Sequence, residues 1–340
     1  MVYEEVSRHG KTSFLIISCT HMNSILNCKK ITFSQIDFDD VSYSISPVLD
    51  SVPDEKLKSS ISRYGILRPP IVKEIDSDYF KIVAGRKILL ACCSLYPGNT
   101  CACLTISPQV TEIVVFSILL AEKQLSHDLT PIEKAIFLQK ITPIADEEKI
   151  IREFLPRLGL SPDSFSLQKT LNLLEFEDPI LDAIHQGLIN EVVAHDLMLL
   201  SPQDRMVLFN IIATLRLSFS FQKKLLSICL ELAGRHNMSI ATLLDNDEVH
   251  DILHHQNANP PQKTKNLMFW LSRKHMPRYS QAAEEFRRFI AAMRLPQNVS
   301  VAHAPSFEDE SMTLSIIYPN RKSLQNAWEK IREATHDNDN

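Results

Sequence analysis

The chain has 340 residues, 44% hydrophobic and 23% charged, with only 7 glycines, a balance that excludes fibrous and disordered classes and allows two or three separate cores. Its formal net charge of -5 argues against a surface coated with phosphate-binding cations but leaves room for a local basic face. Seven cysteines, an odd number without regular spacing, point to free thiols in a reducing cytosol rather than a disulfide framework.

Residues 1–28 read as a leader. Arg8, His9 and Lys11 precede the apolar run Phe14 to Ile17, but Glu4 and Glu5 lie upstream and the run is too short for a secretion signal, so secretion is rejected and Met22 stands as an alternative start. No stretch reaches the roughly 18 apolar residues a membrane span requires, and a cytoplasmic setting is expected. From 29 to 110 short strands and helices alternate: a strand at Ile31 to Ile36, a helix at Asp54 to Tyr64, and strands at Pro70 to Ile75 and Tyr79 to Val83. Gly85, a helix from Lys87 to Leu95, a Pro97-Gly98-Asn99 turn and a strand from Cys101 to Ile106 complete a small α/β domain.

Beyond Thr111 apolar residues recur at helical spacing as far as about Arg294, punctuated at Thr130-Pro131, Pro143, Pro156, Gly159, Pro179, Pro202 and Pro260-Pro261. We divide this stretch into 111–200 and 201–295. In the last piece, 296–340, strands at Val299 to Ala302 and Met312 to Tyr318 precede a helix from Ser323 to Ala334, and His336 to Asn340 fray. Leu314, Ile316 and Tyr318 alternate along one strand, and Leu324, Ala327, Trp328 and Ile331 recur at helical spacing. Some forty residues bury too little apolar surface alone, so this ββα module is expected to pair with a second copy.

Two regions carry a family resemblance, the first in two stretches. Leu57 to Val72 gives a helix ending in Gly65 and then Pro70-Ile71-Val72, and Tyr79 to Ala91 gives a strand running into Gly85-Arg86-Lys87. A glycine between a strand and a helix N-terminus lets backbone N–H groups approach an anion. The second region is Ala121-Glu122-Lys123-Gln124-Leu125-Ser126-His127-Asp128-Leu129-Thr130-Pro131-Ile132-Glu133-Lys134-Ala135. In order and spacing both resemble the ParB-type partition proteins, whose motifs run G-E-R-R-x-R-A and E-N-x-x-R-x-D-L-x-P-x-E-x-A. The resemblance implies a CTP and magnesium site at Gly85, Arg86, Lys87 and Glu122. That pocket is degenerate here, because Ile88, Leu90 and Ser126 replace arginines and Lys123 replaces the asparagine, so CTP turnover is expected to be weak or absent.

From Lys149 the resemblance continues into a DNA-binding helix-turn-helix. Leu158-Gly159-Leu160-Ser161 gives a turn, with Ser161 as N-cap and Pro162 at the first helical position. Leu167, Leu171 and Leu174 form a core stripe, leaving Ser164, Ser166, Gln168, Lys169 and Asn172 for a DNA groove. Pro156 shortens the preceding helix. Lys149 to Leu174 carries four basic and two acidic residues, whereas Glu175 to Asp196 adds six acids and no Lys or Arg. A further basic stretch, Lys263 to Arg294, has eight Lys or Arg against two Glu, with Trp270 and Tyr279 interleaved.

Cys92, Cys93, Cys101 and Cys103 match no zinc-knuckle spacing, and His250 and His254 share a helix face without the glutamate of a metalloprotease motif, so no metal site is assigned. The expected fold is α+β and multidomain, with a small ParB/sulfiredoxin-like α/β domain, an all-α helix-turn-helix middle region and a ββα C-terminal module. The expected function is dimeric, nucleoid-associated binding of double-stranded DNA in plasmid or chromosome partition or related transcriptional regulation, with a partition ATPase as further partner. Two alternatives stay open: an enzyme on the same N-terminal fold, a nucleotide hydrolase or nuclease, and an interaction adaptor that has lost DNA binding.

Overall fold

The structure, a computed structural model, describes residues 25–48, 52, 54–76, 78–304 and 311–336. Most of the expected leader and the last four residues lie outside them. Contacts divide the chain into two units, 1–199 and 200–340.

The first unit begins with β1 (Leu26–Thr32), a 3-10 turn (Phe33–Gln35) and β2 (Ile36–Asp37). The sequence reading placed one strand at 31–36. The chain instead starts pairing at Leu26 and breaks at Phe33. Lys29 and Lys30 hid the earlier start: β1 is an edge strand, where exposed lysines also guard against further pairing. There follow α1 (Glu55–Tyr64), β3 (Ile71–Asp76), β4 (Tyr79–Ala84), α2 (Arg86–Leu95) and β5 (Thr100–Ile106).

The strands form one sheet in the order β1-β5-β3-β4-β2, with β3 antiparallel to β4 and parallel to β5. Side chains alternate across it, so neighbours serve different cores. Val72, Phe80 and Ile82 pack with Ile61, Leu89 and Ala91 on the α1 and α2 side. Ile71, Val83 and Ile106 face the opposite way, into a helical core.

That core is supplied by α3 (Glu112–Gln124), α4 (Pro131–Ile141), a π turn (Ile150–Phe154) that follows the short α5 (Glu147–Lys149), a 3-10 turn (Pro156–Leu158) and α6 (Ser164–Leu171). Tyr43, Phe116, Phe137 and Phe154 run through it with successive ring centroids 5.4, 5.9 and 5.8 Å apart. Such pairs contribute about 0.5–1.5 kcal/mol each beyond area burial, and they tie the sheet-side loop to the helices leading into α6. One charged group enters the same core. Lys73 is buried on β3, and its ammonium pairs with the Glu112 carboxylate, which also accepts the Tyr43 hydroxyl at 2.7 Å. Burial, then this bond, raises the Tyr43 pKa. The unit closes with α7 (Asp178–His185) and α8 (Glu191–Met198).

Three details around α6 depart from the sequence reading. The N-cap is Asp163, whose carboxylate accepts the Ser166 N–H at 2.7 Å, rather than Ser161. The α-helix stops at Leu171 and tightens into a 3-10 turn (Asn172–Glu175), so Leu173 reaches the core and Leu174 is only half-buried. Before Pro156 the helix widens, with Leu155 N–H bonding Ile150 O at 3.1 Å across five residues. An α-helical Pro156 would clash with the carbonyl four residues back, and the wider turn moves that carbonyl away.

In the second unit, α9 (Pro202–Leu215), α10 (Phe219–His236), α11 (Ile240–Leu244), α12 (Asp247–His254) and α13 (Pro260–His275) bury Leu208, Ile212, Leu225, Leu232, Leu267 and Leu271. The next helix, α14 (Pro277–Met293), has no buried residue. Along the basic stretch, Arg273 and Arg287 both stand over the Phe269 ring and Lys274 over Trp270, 5.6–5.9 Å from the centroids. Last come β6 (Val299–His303), antiparallel to β7 (Met312–Ile316), and α15 (Arg321–His336).

Candidate functional site

Gly85 is the N-cap of α2 and sits at φ +84°, a left-handed conformation that favours glycine. Space demands glycine as well: an added Cβ would stand 2.8 Å from Pro70 Cβ and 2.9 Å from Pro70 Cα. The β4–α2 corner therefore rests directly on the turn that precedes β3. Beside this contact opens a cleft of about 670 Å³, whose lining includes Gly85, Arg86, Lys87, Arg68, Glu122 and Lys123. That volume lies in the range of small-molecule sites.

The four residues expected at the phosphate corner come together here, but they are engaged differently. Arg86 donates through both Nη atoms to the backbone carbonyls of Phe38 and Asp40, fastening the loop after β2. Lys87 is exposed at the first turn of α2. Glu122, near the C-terminal end of α3, is paired at 3.1 Å with Arg68.

Arg68 lies within the Leu57 to Val72 segment, where the sequence reading assigned it no role of its own. Its guanidinium donates to Ser126 Oγ at 2.6 Å and to the Glu122 carbonyl at 2.9 Å. Ser126 is the position at which the resemblance called for an arginine. A cation thus reaches the Ser126 position from the other wall of the cleft, on a residue about sixty positions away in sequence.

The floor is set by the start of α4. Thr130 N–H donates to Glu133 Oε2 at 2.9 Å while Glu133 N–H donates to Thr130 Oγ1 at 3.2 Å, a capping box that explains the Thr-Pro-Ile-Glu pattern structurally. Glu133 is buried, and His127 Nε2 lies 3.4 Å from its carboxylate. From α7, His185 Nδ1 meets Thr130 Oγ1 at 2.9 Å. Two nearby thiols are held in their neutral form. A hydrogen bond with Cys101 and burial raise the Cys92 pKa, and a bond with Cys103 pushes Cys101 up to about 12, opposite to what thiolate chemistry needs.

The second group of candidate residues lies on α6. Ser164, Gln168 and Lys169 are exposed, and Ser166 is spent on its own cap, its hydroxyl 3.1 Å from Asp163 Oδ2. Gln168 Nε2 donates to Asn172 Oδ1 at 2.7 Å, holding the two amides together.

No protein-family model matches the chain. Curated relatives are nucleoid occlusion proteins: one from Listeria monocytogenes is 27% identical over 161 residues, covering 47% of this chain and 53% of its own length. Another from Lysinibacillus sphaericus is 27% identical over 157 residues, covering 46% and 50%. A third from Bacillus cereus is 26% identical over 163 residues, covering 48% and 53%. The chain spans about half the length of the curated relatives it matches. Among solved structures, the C-terminally truncated ParB of Caulobacter crescentus complexed to the centromeric parS site is 18% identical over 58% of this chain and 98% of its own, with a TM-score of 0.34. The same protein complexed with CTP-gamma-S is 17% identical over 55% and 99%, with a TM-score of 0.24.

Gly85→Ala should destabilise the first unit by about 2–4 kcal/mol, combining left-handed strain with overpacking against Pro70. Gly159, in the same left-handed region at φ +71° with nothing within 4 Å of an added Cβ, is the control: Gly159→Ala should cost only about 1 kcal/mol. Urea unfolding of both variants checks the difference. Over about half of its length, then, the chain is similar to nucleoid occlusion proteins at 26–27% identity.

Proposed function

We propose that this protein binds a specific sequence of double-stranded DNA through α6 and holds a nucleoside triphosphate in the cleft beside Gly85. The single observation that carries the DNA reading is the exposed face of α6. A capped, core-anchored helix presents Gln168, Lys169 and Asn172 after a π turn, a 3-10 turn and Gly159 in the left-handed conformation. Amides of this kind pair with adenine and a lysine pairs with guanine or phosphate, so the helix pair acts as a helix-turn-helix. The relationship to nucleoid occlusion proteins favours chromosomal DNA as the target and a nucleoid setting. Among the described residues no helix is long and apolar enough to cross a membrane.

The donor set of the cleft fits a polyphosphate better than the sequence suggested. Arg68, Lys87 and Lys123 line it together with the N-terminus of α2, where first-turn N–H groups lie beyond any side-chain cap. A triphosphate would meet Arg68 in competition with Glu122, and Glu122 is the carboxylate that would hold a magnesium ion bound with it. A thiol enzyme on this fold is disfavoured by the buried, protonated Cys92.

Dimerisation belongs to the C-terminal module in this reading. Leu314 on β7 is 60% exposed, and Leu324 and Trp328 on α15 are 43% and 56% exposed, so part of the apolar surface the sequence assigned to this module lacks cover among the described residues. A second copy across a two-fold axis would supply it.

Three measurements test this reading. Lys169→Ala should weaken binding to a selected duplex about ten-fold in fluorescence polarisation at moderate salt; no preference of the unmodified protein over random DNA would refute the assignment. Arg68→Ala should weaken calorimetric binding of CTP with magnesium about 10- to 100-fold. Leu314→Asp, a change at an exposed position, should convert a dimer into a monomer by light scattering while leaving the fold intact.

A further inference from the structure

From the geometry of α6 we infer that Phe165 reads the 5-methyl group of a thymine in the major groove, fixing one base of each half-site. This deepens the DNA-binding reading above and rests on it. Phe165 is the second residue of α6 and is 75% exposed. Its helix does not lack apolar cover elsewhere: Leu167 is buried and Leu171 packs against the same core. Phe165 lies off that stripe, and leaving so large a ring in water forfeits hydrophobic stabilisation that another residue type would not lose.

What shares its face decides the occupant. Helical spacing places Phe165, Gln168, Lys169 and Asn172 at i, i+3, i+4 and i+7, on one side of the helix. This is the same side that carries the amides and the cation assigned to base edges and phosphate. The first turn of a recognition helix is the part that reaches the bases, and Phe165 belongs to that turn. In the major groove every base-pair edge offers donors and acceptors, whereas the thymine C5-methyl is the apolar feature, and an aromatic or methyl-bearing side chain is what contacts it. Charge agrees with a duplex as occupant. The segment 149–174 holds four basic and two acidic residues, and one of those acids, Asp163, is consumed in the cap.

The test uses the full chain. Duplexes selected from a random library by the unmodified protein are compared with those selected by Phe165→Ala, and each thymine of the selected site is then replaced by deoxyuridine, which lacks only the methyl. At one thymine per half-site the replacement should weaken binding about four-fold, the factor for withdrawing one methyl group from an apolar contact. The same replacement should leave Phe165→Ala unaffected, and 5-methylcytosine in place of cytosine at that position should restore part of the preference. Phe165→Ala should melt at the unmodified protein's temperature, because the ring has little to lose. If a motif is selected but no thymine shows this difference, the role of Phe165 is overturned while DNA binding stands; Phe165 then serves another partner. If the unmodified protein selects no motif at all, both readings fall together.

Discussion

The cleft exists because two turns touch. Pro70 lies against Gly85 with no room for a Cβ between them, and this contact brings the start of α2 beside the loop that carries Arg68. From that loop the guanidinium reaches α3, and α3 in turn holds Glu112 against Lys73 in the middle of the sheet. Widening the first contact would therefore disturb the cation, the helix and the buried charge in one movement. Glycine is retained there by space as much as by its backbone angle.

Much of the N-terminal architecture could be read from pattern. Pro70-Ile71-Val72 and Tyr79 to Val83 alternate as strands do, and the Thr-Pro-Ile-Glu start of α4 announces its own cap. Other parts were hidden because their cause is not local. Lys29 and Lys30 obscured β1, whose partner lies some seventy residues later. Arg68 carries no motif of its own, and only the folded chain brings it to Ser126. Ser161 obeys the capping rule better than Asp163 on paper, yet the turn after Gly159 delays the helix by two residues. Phe165 had a signal in the sequence: an apolar residue off the leucine stripe.

The overall charge balance conceals a division of labour. Acids gather in α7 and α8, while the segment around α6 is mildly basic and the stretch from Lys263 to Arg294 strongly so. In that second stretch several cations are committed to aromatic faces, Arg273 and Arg287 on Phe269 and Lys274 on Trp270. Stacked guanidinium groups keep outward N–H donors, so a basic surface of this kind is held in place before any polyanion arrives.

The π turn at Ile150–Phe154 has an effect beyond relieving Pro156. One extra residue in a helical turn advances everything downstream by about 100° about the axis. That advance stays within its own short helical run, because the 3-10 turn and left-handed Gly159 separate it from α6. A chain that lost one residue of this turn would close to α-helical spacing and set Pro156 against the carbonyl four residues back, at a cost of about 3 kcal/mol.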